Sequence, residues 1–389
     1  MVDFAGKIGQ EKRAITKAGG QTVGSYTDNM KKIVFYTNNL ENGGAQRVLV
    51  NLANAFADNG YECVFVNSYK DKAYYELSDK VRFIALYDEK ISGFIRRNFK
   101  YTTALRELLK TERPDVLLSF MPEPNFRAII ARRGLKTKTI ISERCYPGAI
   151  YKSFFRRFFA KTLYKKADGI VFQTKEAMEW FSPAVRKKST VIFNKVAERF
   201  FSARFDGERK DVYTAGRLTA QKNHALLIKA FARIADNVGD DLYIYGEGPM
   251  RGDLEALVDE LGLKNRVFLP GNTDKIIEEA KSKRLFVMSS DFEGLPNALM
   301  EAMTLGIPCV STDCAGGGAS ALITDNEDGI IVPTGDEKAL ADAMLKVLTN
   351  DALADVFGKN ARQKAEKLFA PDAVFNEWES FLTDKVNGR

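Results

Sequence analysis

Residues 284–313, RLFVMSSDFEGLPNALMEAMTLGIPCVSTD, contain the pattern that decides the fold. Two short apolar runs, RLFVMSS (284–290) and PCVSTD (308–313), flank a segment with helical periodicity. The glycine and proline after the first run predict that a helix begins near Asn297, and Gly306 ends it. A strand, a helix and a second strand within about 30 residues form the unit from which parallel sheets are built.

The same alternation precedes this segment along the chain. Before it, the predicted strands are KKIVFYT (31–37), ECVFVNSY (62–69), VRFIALY (81–87), DVLLSF (115–120), KTIISE (138–143), GIVFQT (169–174), STVIFN (189–194), DVYTAGRL (211–218), DLYIYGEG (241–248) and RVFLPG (266–271). Near-continuous apolar strands separated by helices are typical of parallel sheets covered on both faces. We predict an α/β protein with two Rossmann-like, doubly wound domains that face a central cleft at the carboxyl ends of their strands.

Composition shifts and breaks in periodicity set the predicted domain boundaries. Residues 1–29 are polar and precede Met30, which resembles a natural start, so we interpret them as a disordered or non-native extension. One domain is predicted over 30–197 and a second over 198–370, and the charged stretch 195–210, which has no clear strand, is the predicted linker between them. In 371–389 the pattern FNEWESFL predicts an amphipathic helix that returns to the first domain.

Composition excludes several kinds of chemistry. His224 is the only histidine, which excludes Ser-His-Asp and Cys-His catalysis and multi-histidine metal sites. The four cysteines form no paired CxxC pattern, which argues against a disulfide framework or a zinc site and favours reduced thiols in the cytoplasm. No apolar run approaches the roughly 20 residues of a membrane span, so we expect any membrane association to be peripheral, at the inner face of the plasma membrane.

Charge is divided unevenly along the chain. Residues 1–198 carry 35 Lys and Arg against 20 Asp and Glu, a net charge of +15. Residues 199–389 carry 23 against 31, a net charge of −8. We expect the first half to face an anionic partner such as a membrane surface, a phosphorylated lipid or a nucleic acid.

The segment YKSFFRRFFAKTLYKK (151–166) contains six basic and six aromatic residues. On a helical projection four phenylalanines cover one arc, and basic residues cover most of the remainder. This pattern is typical of a helix that lies on an anionic membrane. The alternative is a helix whose phenylalanines pack on the sheet.

Two motifs in the second half have the chemistry of a sugar-nucleotide site. Glu293 precedes the predicted helix and Glu301 lies on it, and the N–H groups at the start of that helix can bind phosphate. After the strand that ends at Gly216, Arg217 and Lys222 bring two positive charges that suit a departing diphosphate. Ordinary glutamates on a solvent-facing helix and a solvated basic loop are the plain alternatives.

A third motif follows the first predicted strand. Gly43 and Gly44 give a tight turn into a helix, where a phosphate or acceptor group could approach the backbone N–H groups. The turn is not a G-x-G-x-x-G fingerprint, and the second strand ends without an acidic residue for a dinucleotide ribose. Both facts argue against NAD or FAD.

Over roughly residues 30–385 the chain resembles the retaining nucleotide-sugar glycosyltransferases of family 4. The resemblance rests on motifs in that family's order: GGAQR (43–47), GRL (216–218) then Lys222-Asn223, GEGP (246–249), and Glu293 with Glu301. SER (142–144) and TDC (312–314) resemble bacterial members that extend lipid-linked or surface oligosaccharides. The resemblance implies the GT-B fold, with the first domain binding the acceptor and the second the nucleotide sugar.

The resemblance also implies roles for individual residues. Arg217 and Lys222 would bind the donor pyrophosphate, and Glu301 would bind the ribose hydroxyls. Glu293 would contact the donor sugar and phosphates together with the backbone of Gly294, Leu295, Pro296 and Asn297. Gly216 and Glu247 would shape the nucleotide pocket. An acceptor or phosphate loop would include Gly43, Gly44, Arg47, Glu143 and Arg144.

The chain departs from the family in two places. Many members carry a histidine near the donor sugar in the first domain, whereas here Glu143 or Arg144 occupies roughly that position. The glycine-rich run 314–318 leads to Ser320, where relatives often have a glutamate, so we assign that loop no catalytic residue.

The implied reaction moves a hexose or N-acetylhexosamine from a UDP-sugar to a lipid-linked or surface saccharide, with retention of anomeric configuration. The sequence has no D-x-D motif, so we expect neither a catalytic metal nor another cofactor. Two alternatives remain open at this point. One is a nucleic-acid-binding protein, which would explain the basic first half but not the motifs of the second. The other is a sugar-nucleotide hydrolase or epimerase on the same fold.

Overall fold

The structure is a computed structural model that describes residues 30–39, 44–68, 75–86 and 93–388. The predicted extension over 1–29 and the predicted turn residue Gly43 lie outside the described residues.

The first domain contains a seven-stranded parallel sheet with strand order β3-β2-β1-β4-β5-β6-β7. Its strands are β1 (Lys32–Thr37), β2 (Glu62–Asn67), β3 (Val81–Ala85), β4 (Val116–Phe120), β5 (Lys138–Ser142), β6 (Gly169–Phe172) and β7 (Ser189–Val191). The order reverses between β1 and β4, so the chain leaves these two neighbours toward opposite faces and opens a crevice at their carboxyl ends.

The second domain repeats this topology with six parallel strands in the order β10-β9-β8-β11-β12-β13. They are β8 (Lys210–Ala215), β9 (Leu242–Tyr245), β10 (Val267–Gly271), β11 (Lys283–Met288), β12 (Cys309–Thr312) and β13 (Ile330–Val332). The corresponding crevice lies between β8 and β11.

Helices cover both faces of each sheet. In the first domain they are α1 (Gly44–Asp58), α2 (Phe94–Glu112), α3 (Pro122–Ala131), α4 (Pro147–Ile150), α5 (Phe154–Leu163), α6 (Lys175–Glu179) and α7 (Pro183–Arg186). After it follow α8 (Glu198–Ser202), α9 (His224–Ala232), α10 (Arg251–Glu260), α11 (Ile276–Ala280), α12 (Asn297–Thr304), α13 (Gly318–Leu322), α14 (Glu337–Leu348), α15 (Asp351–Leu368) and α16 (Pro371–Val386). Among the described residues, no helix is both long and apolar enough to cross a bilayer.

The last helix packs on the first domain. Val374, Trp378 and Leu382 of α16 belong to the core that includes β1, β2 and β4. The Trp378 ring stacks on Phe120 with centroids 5.9 Å apart. In the predicted linker, α8 packs through Phe200 on the core of the second domain.

The predicted α/β fold class is confirmed, and every run predicted as a strand forms one. Several strands are shorter than the runs that predicted them. The last residues of those runs leave the sheet and enter the loops at the cleft. One strand, β13, was not predicted. It has only three residues and lies at the edge of its sheet, so its sequence shows little periodicity.

Candidate active site

The cationic motif of the second domain, with Arg217 and Lys222, and its acidic motif, with Glu293, meet at the crevice of that domain. Arg217 and Lys222 follow β8, and Glu293 follows β11. Because β8 and β11 are paired neighbours at the reversal of strand order, the loops after them enclose one space.

Lys222 and Glu293 form the central ion pair of this space. Lys222 Nζ lies 2.6 Å from Glu293 Oε1, and Ser290 Oγ donates to the same oxygen over 3.0 Å. Glu293 is buried, and Lys222 is largely covered. The pair therefore has a fixed geometry rather than that of a solvated surface pair.

Arg217 differs from Lys222 because its side chain is exposed, and no carboxylate among the described residues pairs with it. The loop that carries it is held closely against the loop after β9. A Cβ at Gly246 would lie 1.9 Å from the Gly216 carbonyl oxygen, so only glycine permits this approach. Leu218 N–H also donates to the Glu247 carbonyl oxygen over 2.9 Å.

The first turn of α12 faces the same space. Pro296 occupies the N-cap position, and no side chain in the described part of the protein caps the helix. The N–H groups of the first turn are therefore available to a phosphate. Leu295 is buried in the core of the domain and fixes the direction from which the chain enters α12.

Glu301 lies on α12, about one helical turn after Asn297. Among the described residues, no cationic side chain lies within 4 Å of its carboxylate. Burial raises the pKa of Glu301, while the positive charges of Arg47 and Arg199 act against that change. A covered carboxylate without a bound cation can accept hydrogen bonds from hydroxyl groups.

Glu247 lies outside this group of residues. It is exposed and pairs with Arg251 of α10, with Oε1 and Nη2 2.7 Å apart, an arrangement that holds its pKa below the ordinary value. His224 is buried at the start of α9, and burial lowers its pKa to about 4, so it is neutral near pH 7. This agrees with a structural role.

The first domain approaches the start of α12 directly. Asn194 Nδ2 donates to Asn297 Oδ1 over 2.7 Å, and the Arg144 guanidinium donates to Asn194. A Cβ at Gly44 would lie 3.8 Å from Asn297 Nδ2. The structure therefore brings Gly44, Arg144 and Asn297 together across the cleft.

A second contact between the domains involves residues that sequence reasoning missed. Thr174 Oγ1 donates to the Gly316 carbonyl oxygen over 2.7 Å, and Gly316 N–H donates to Glu176 over 3.1 Å. Gly316 also packs on the Glu293 loop, because a Cβ there would lie 1.9 Å from the Glu293 carbonyl oxygen. The consecutive glycines at 316–318 were the available signal for this close approach.

Glu143 and Arg144 point into different environments. Glu143 is buried and accepts hydrogen bonds from Tyr151 and Tyr164 over 2.6 and 2.7 Å. Burial raises the pKa of Glu143 to about 7, although these hydroxyl groups lower it. The structure therefore separates the two predicted acceptor-loop residues, with Arg144 at the cleft and Glu143 beneath the surface of the first domain.

Helix α5 forms within the predicted basic and aromatic segment, but its phenylalanines do not pack on the sheet. Phe154, Phe155, Phe158 and Phe159 are 76, 72, 56 and 51% exposed. The alternative of a helix buried on the sheet is therefore wrong, because α5 is covered mainly at Ala160 and Leu163.

Comparisons with known proteins agree with this architecture. The sucrose-phosphate synthase of Thermosynechococcus elongatus superposes with a TM-score of 0.78 at 19% identity, covering 92% of this chain and 100% of that one. The HepE protein of Anabaena, solved in complex with UDP, has a TM-score of 0.78 at 16% identity over 91% of this chain and 100% of the other. The fold is that of the GT-B glycosyltransferases.

Sequence comparisons define the family more closely. The family profile "Glycosyltransferase Family 4" matches residues 42–197, and "Glycosyl transferases group 1" matches residues 195–364. A Campylobacter jejuni protein, GalNAc-alpha-(1->4)-GalNAc-alpha-(1->3)-diNAcBac-PP-undecaprenol alpha-1,4-N-acetyl-D-galactosaminyltransferase, is 30% identical over 92% of this chain and 100% of its own length. The chain belongs to the family 4 glycosyltransferases. These matches do not favour the nucleic-acid-binding alternative.

Proposed function

We propose that the protein transfers a hexose or N-acetylhexosamine from a UDP-sugar to a hydroxyl group of a lipid-linked or cell-surface saccharide, with retention at the anomeric carbon. The observation that supports this most directly is the convergence of Arg217, Lys222 and the first turn of α12 at one crevice. Two cations and a set of free N–H groups suit a diphosphate that gains charge as it leaves.

The chain has the parts that such a transfer needs. Arg217, Lys222 and the α12 N–H groups would stabilise the diphosphate while the bond between its oxygen and the anomeric carbon breaks. The acceptor oxygen would bond to that carbon on the same face, and its proton would pass to the departing phosphate oxygen. Glu301 would accept hydrogen bonds from the ribose, and contacts such as Asn194 to Asn297 would keep the cleft closed to water.

We also propose that the protein works on an anionic membrane surface through α5. Phe154 and Phe158 are 76 and 56% exposed, and Arg157 and Lys161 of the same helix are exposed as well. Apolar and basic side chains on one exposed helix match the interface of an anionic bilayer. The names of relatives support a lipid-linked acceptor, since two Campylobacter jejuni transferases are named for undecaprenol-linked substrates.

The donor is tested first. UDP, GDP and ADP are added to the full chain in thermal-shift measurements, and UDP is expected to give the largest rise in melting temperature. No rise with UDP, together with steep salt-dependent binding to RNA, would contradict the proposal.

The reaction is tested next. UDP-GlcNAc, UDP-GalNAc, UDP-glucose and UDP-galactose are incubated with an undecaprenyl-diphosphate-linked N-acetylhexosamine, and products are analysed by mass spectrometry and NMR. We expect the acceptor to gain one sugar with the donor's anomeric configuration. Free sugar without acceptor would indicate a hydrolase, and an altered nucleotide sugar an epimerase.

A further inference from the structure

An apolar groove of about 860 Å³ runs along the surface of the first domain between α2, α3 and α5. Its walls include Phe99 of α2, Ile130 of α3, and Phe155, Phe159 and Leu163 of α5. Its volume lies within the range of pockets that hold small molecules or parts of them, about 300–1,000 Å³.

The side chains of this groove are unusually exposed for apolar residues. Phe99 is 72% exposed, Phe155 72%, Phe159 51% and Ile130 49%. Contiguous exposed apolar surface of this kind marks a site that another apolar group covers, because burying it removes it from water.

One end of the groove is polar. Asn38, Glu123 and Arg127 line it there, and the buried Arg127 guanidinium donates to Asn38. Glu123 lies 3.6 Å from Arg127 Nη2 and 3.9 Å from Arg97 Nη2, so two cations share one carboxylate at this end. Counting Arg97, which lies beside the groove, the charges of these three side chains sum to +1.

This polar end opens at the catalytic cleft. Asn38 directly follows β1, and Met121, which also lines the groove, follows β4. These strands flank the crevice of the first domain, and Gly44 at the start of α1 lies beside Asn297 of the donor-binding domain. The groove therefore leads from the exposed helix α5 to the cleft.

Helix α5 divides its four phenylalanines between two surfaces. Phe155, Arg156 and Phe159 line the groove, whereas Phe154 and Phe158 do not. The helical spacing of four residues explains the division, because residues i and i+4 share a face. A flat bilayer can cover Phe154 and Phe158, but a concave groove suits a single chain.

We infer that this groove binds the hydrocarbon chain of the lipid-linked acceptor, with the chain's phosphate end near Asn38 and Arg127 and its saccharide in the cleft. A groove that is apolar along its length and positively charged at one end matches an anionic head joined to a long apolar tail. The inference rests on the proposed function in that the acceptor carries a lipid. It adds that the protein holds the lipid chain itself, apart from the bilayer.

The test measures binding in buffer without detergent or vesicles. Isothermal titration compares inorganic pyrophosphate, dimethylallyl diphosphate, geranyl diphosphate and farnesyl diphosphate with the full chain. Because each added isoprene unit buries more apolar surface, we expect affinity to rise at least tenfold from dimethylallyl to farnesyl diphosphate. Equal affinities across the series would overturn the inference.

Paired variants separate the groove from the membrane surface. Phe155→Ala with Phe159→Ala is expected to remove the chain-length dependence and to leave sedimentation with phosphatidylglycerol vesicles mostly intact. Phe154→Ala with Phe158→Ala is expected to do the reverse. All four residues are exposed, so both variants should keep the parent's melting temperature and UDP response.

The outcomes distinguish this inference from the proposed function. If both double variants lose the chain-length dependence equally, the exposed phenylalanines form a general apolar patch. That result would overturn the inference that the groove binds the hydrocarbon chain. Concentration-dependent dimers that only Phe155→Ala with Phe159→Ala abolishes would mean that a second copy of the chain covers it. If no sugar transfer to any acceptor occurs while farnesyl diphosphate still binds with chain-length dependence, the proposed function fails and the groove stands.

Discussion

Lys222 Nζ contacts Glu293 Oε1 at 2.6 Å across 71 residues of sequence. The contact exists because each residue lies in the loop after one of two paired strands, β8 and β11. A diphosphate bound by Lys222 would share this cation with Glu293, so the positions of the donor phosphates and of the Glu293 loop are coupled.

Removing both cations of the crevice should slow the reaction strongly. A hydrogen bond to a charged group contributes about 1.5–3 kcal/mol. We therefore expect Arg217→Ala with Lys222→Ala to lower kcat at least about 100-fold. The loss should exceed any change in acceptor KM, since in the proposed mechanism both cations would act on the leaving group. Steady-state kinetics measure it.

Lys229→Ala is a matched control for the cation variant, because Lys229 is exposed on the neighbouring helix α9. It should keep the parent's kcat. Unchanged turnover in the double variant would remove the leaving-group assignment.

Glu301 should matter for donor use rather than for stability. Glu301→Ala would remove the proposed acceptor for the ribose hydroxyls, and we expect donor kcat/KM to fall about 10- to 150-fold. Glu260→Ala, on the exposed end of α10, is the comparison variant and should behave like the parent. Parent-like kinetics for Glu301→Ala would exclude the ribose role.

Gly316 should be sensitive to a single added methyl group. In Gly316→Ala the Cβ would lie 1.9 Å from the Glu293 carbonyl oxygen, so the Glu293 loop must move. Donor kcat/KM should fall at least tenfold, and the rise in melting temperature with UDP should shrink.

Gly335→Ala separates this effect from backbone strain. Gly335 has a φ of +77°, close in kind to the +104° of Gly316, but among the described residues beyond its chain neighbours no atom lies within 4 Å of its Cβ position. Both variants should lose about 1–2 kcal/mol of stability from the left-handed backbone. Equal activities in the two variants would show that the contact with Glu293 is unimportant.

Glu143 should make stability depend on pH. Its pKa is about 7 in the folded chain and about 4.3 when exposed in the unfolded chain, so the folded state binds more protons between these values. Stability should fall as the pH rises from about 4 to 7, by an amount on the order of 1–3 kcal/mol. Glu143→Gln should be less sensitive over this window.

Urea unfolding from pH 4.5 to 8 measures this difference. The variant should gain relative stability with increasing pH, because its amide has no proton to lose. A constant difference between variant and parent would mean that Glu143 has an ordinary pKa.

The alternation of strands and helices along the chain and the position of α12 were readable from the sequence, because local properties determine them. Near-continuous apolar, β-branched runs separated by helical patterns are typical of buried parallel strands, and the residues around Asn297 and Gly306 begin and end a helix by backbone preference. The motif of Arg217 and Lys222 could be placed after a strand for the same reason. The short edge strand β13 was not predicted, because three residues show too little periodicity.

What only the tertiary structure decided is which of these loops meet. The pairing of β8 with β11 brings Lys222 to Glu293, and the packing of the two domains brings Asn194 to Asn297. Adjacent residues Glu143 and Arg144 diverge, one into a buried pair of tyrosines and the other to the cleft. Sequence periodicity predicts on which face of its helix or strand a side chain lies, but the packing of distant elements determines what that face contacts. This is why the pattern of α5 indicated an amphipathic helix, while the groove beside it appeared only when α2, α3 and α5 were in place.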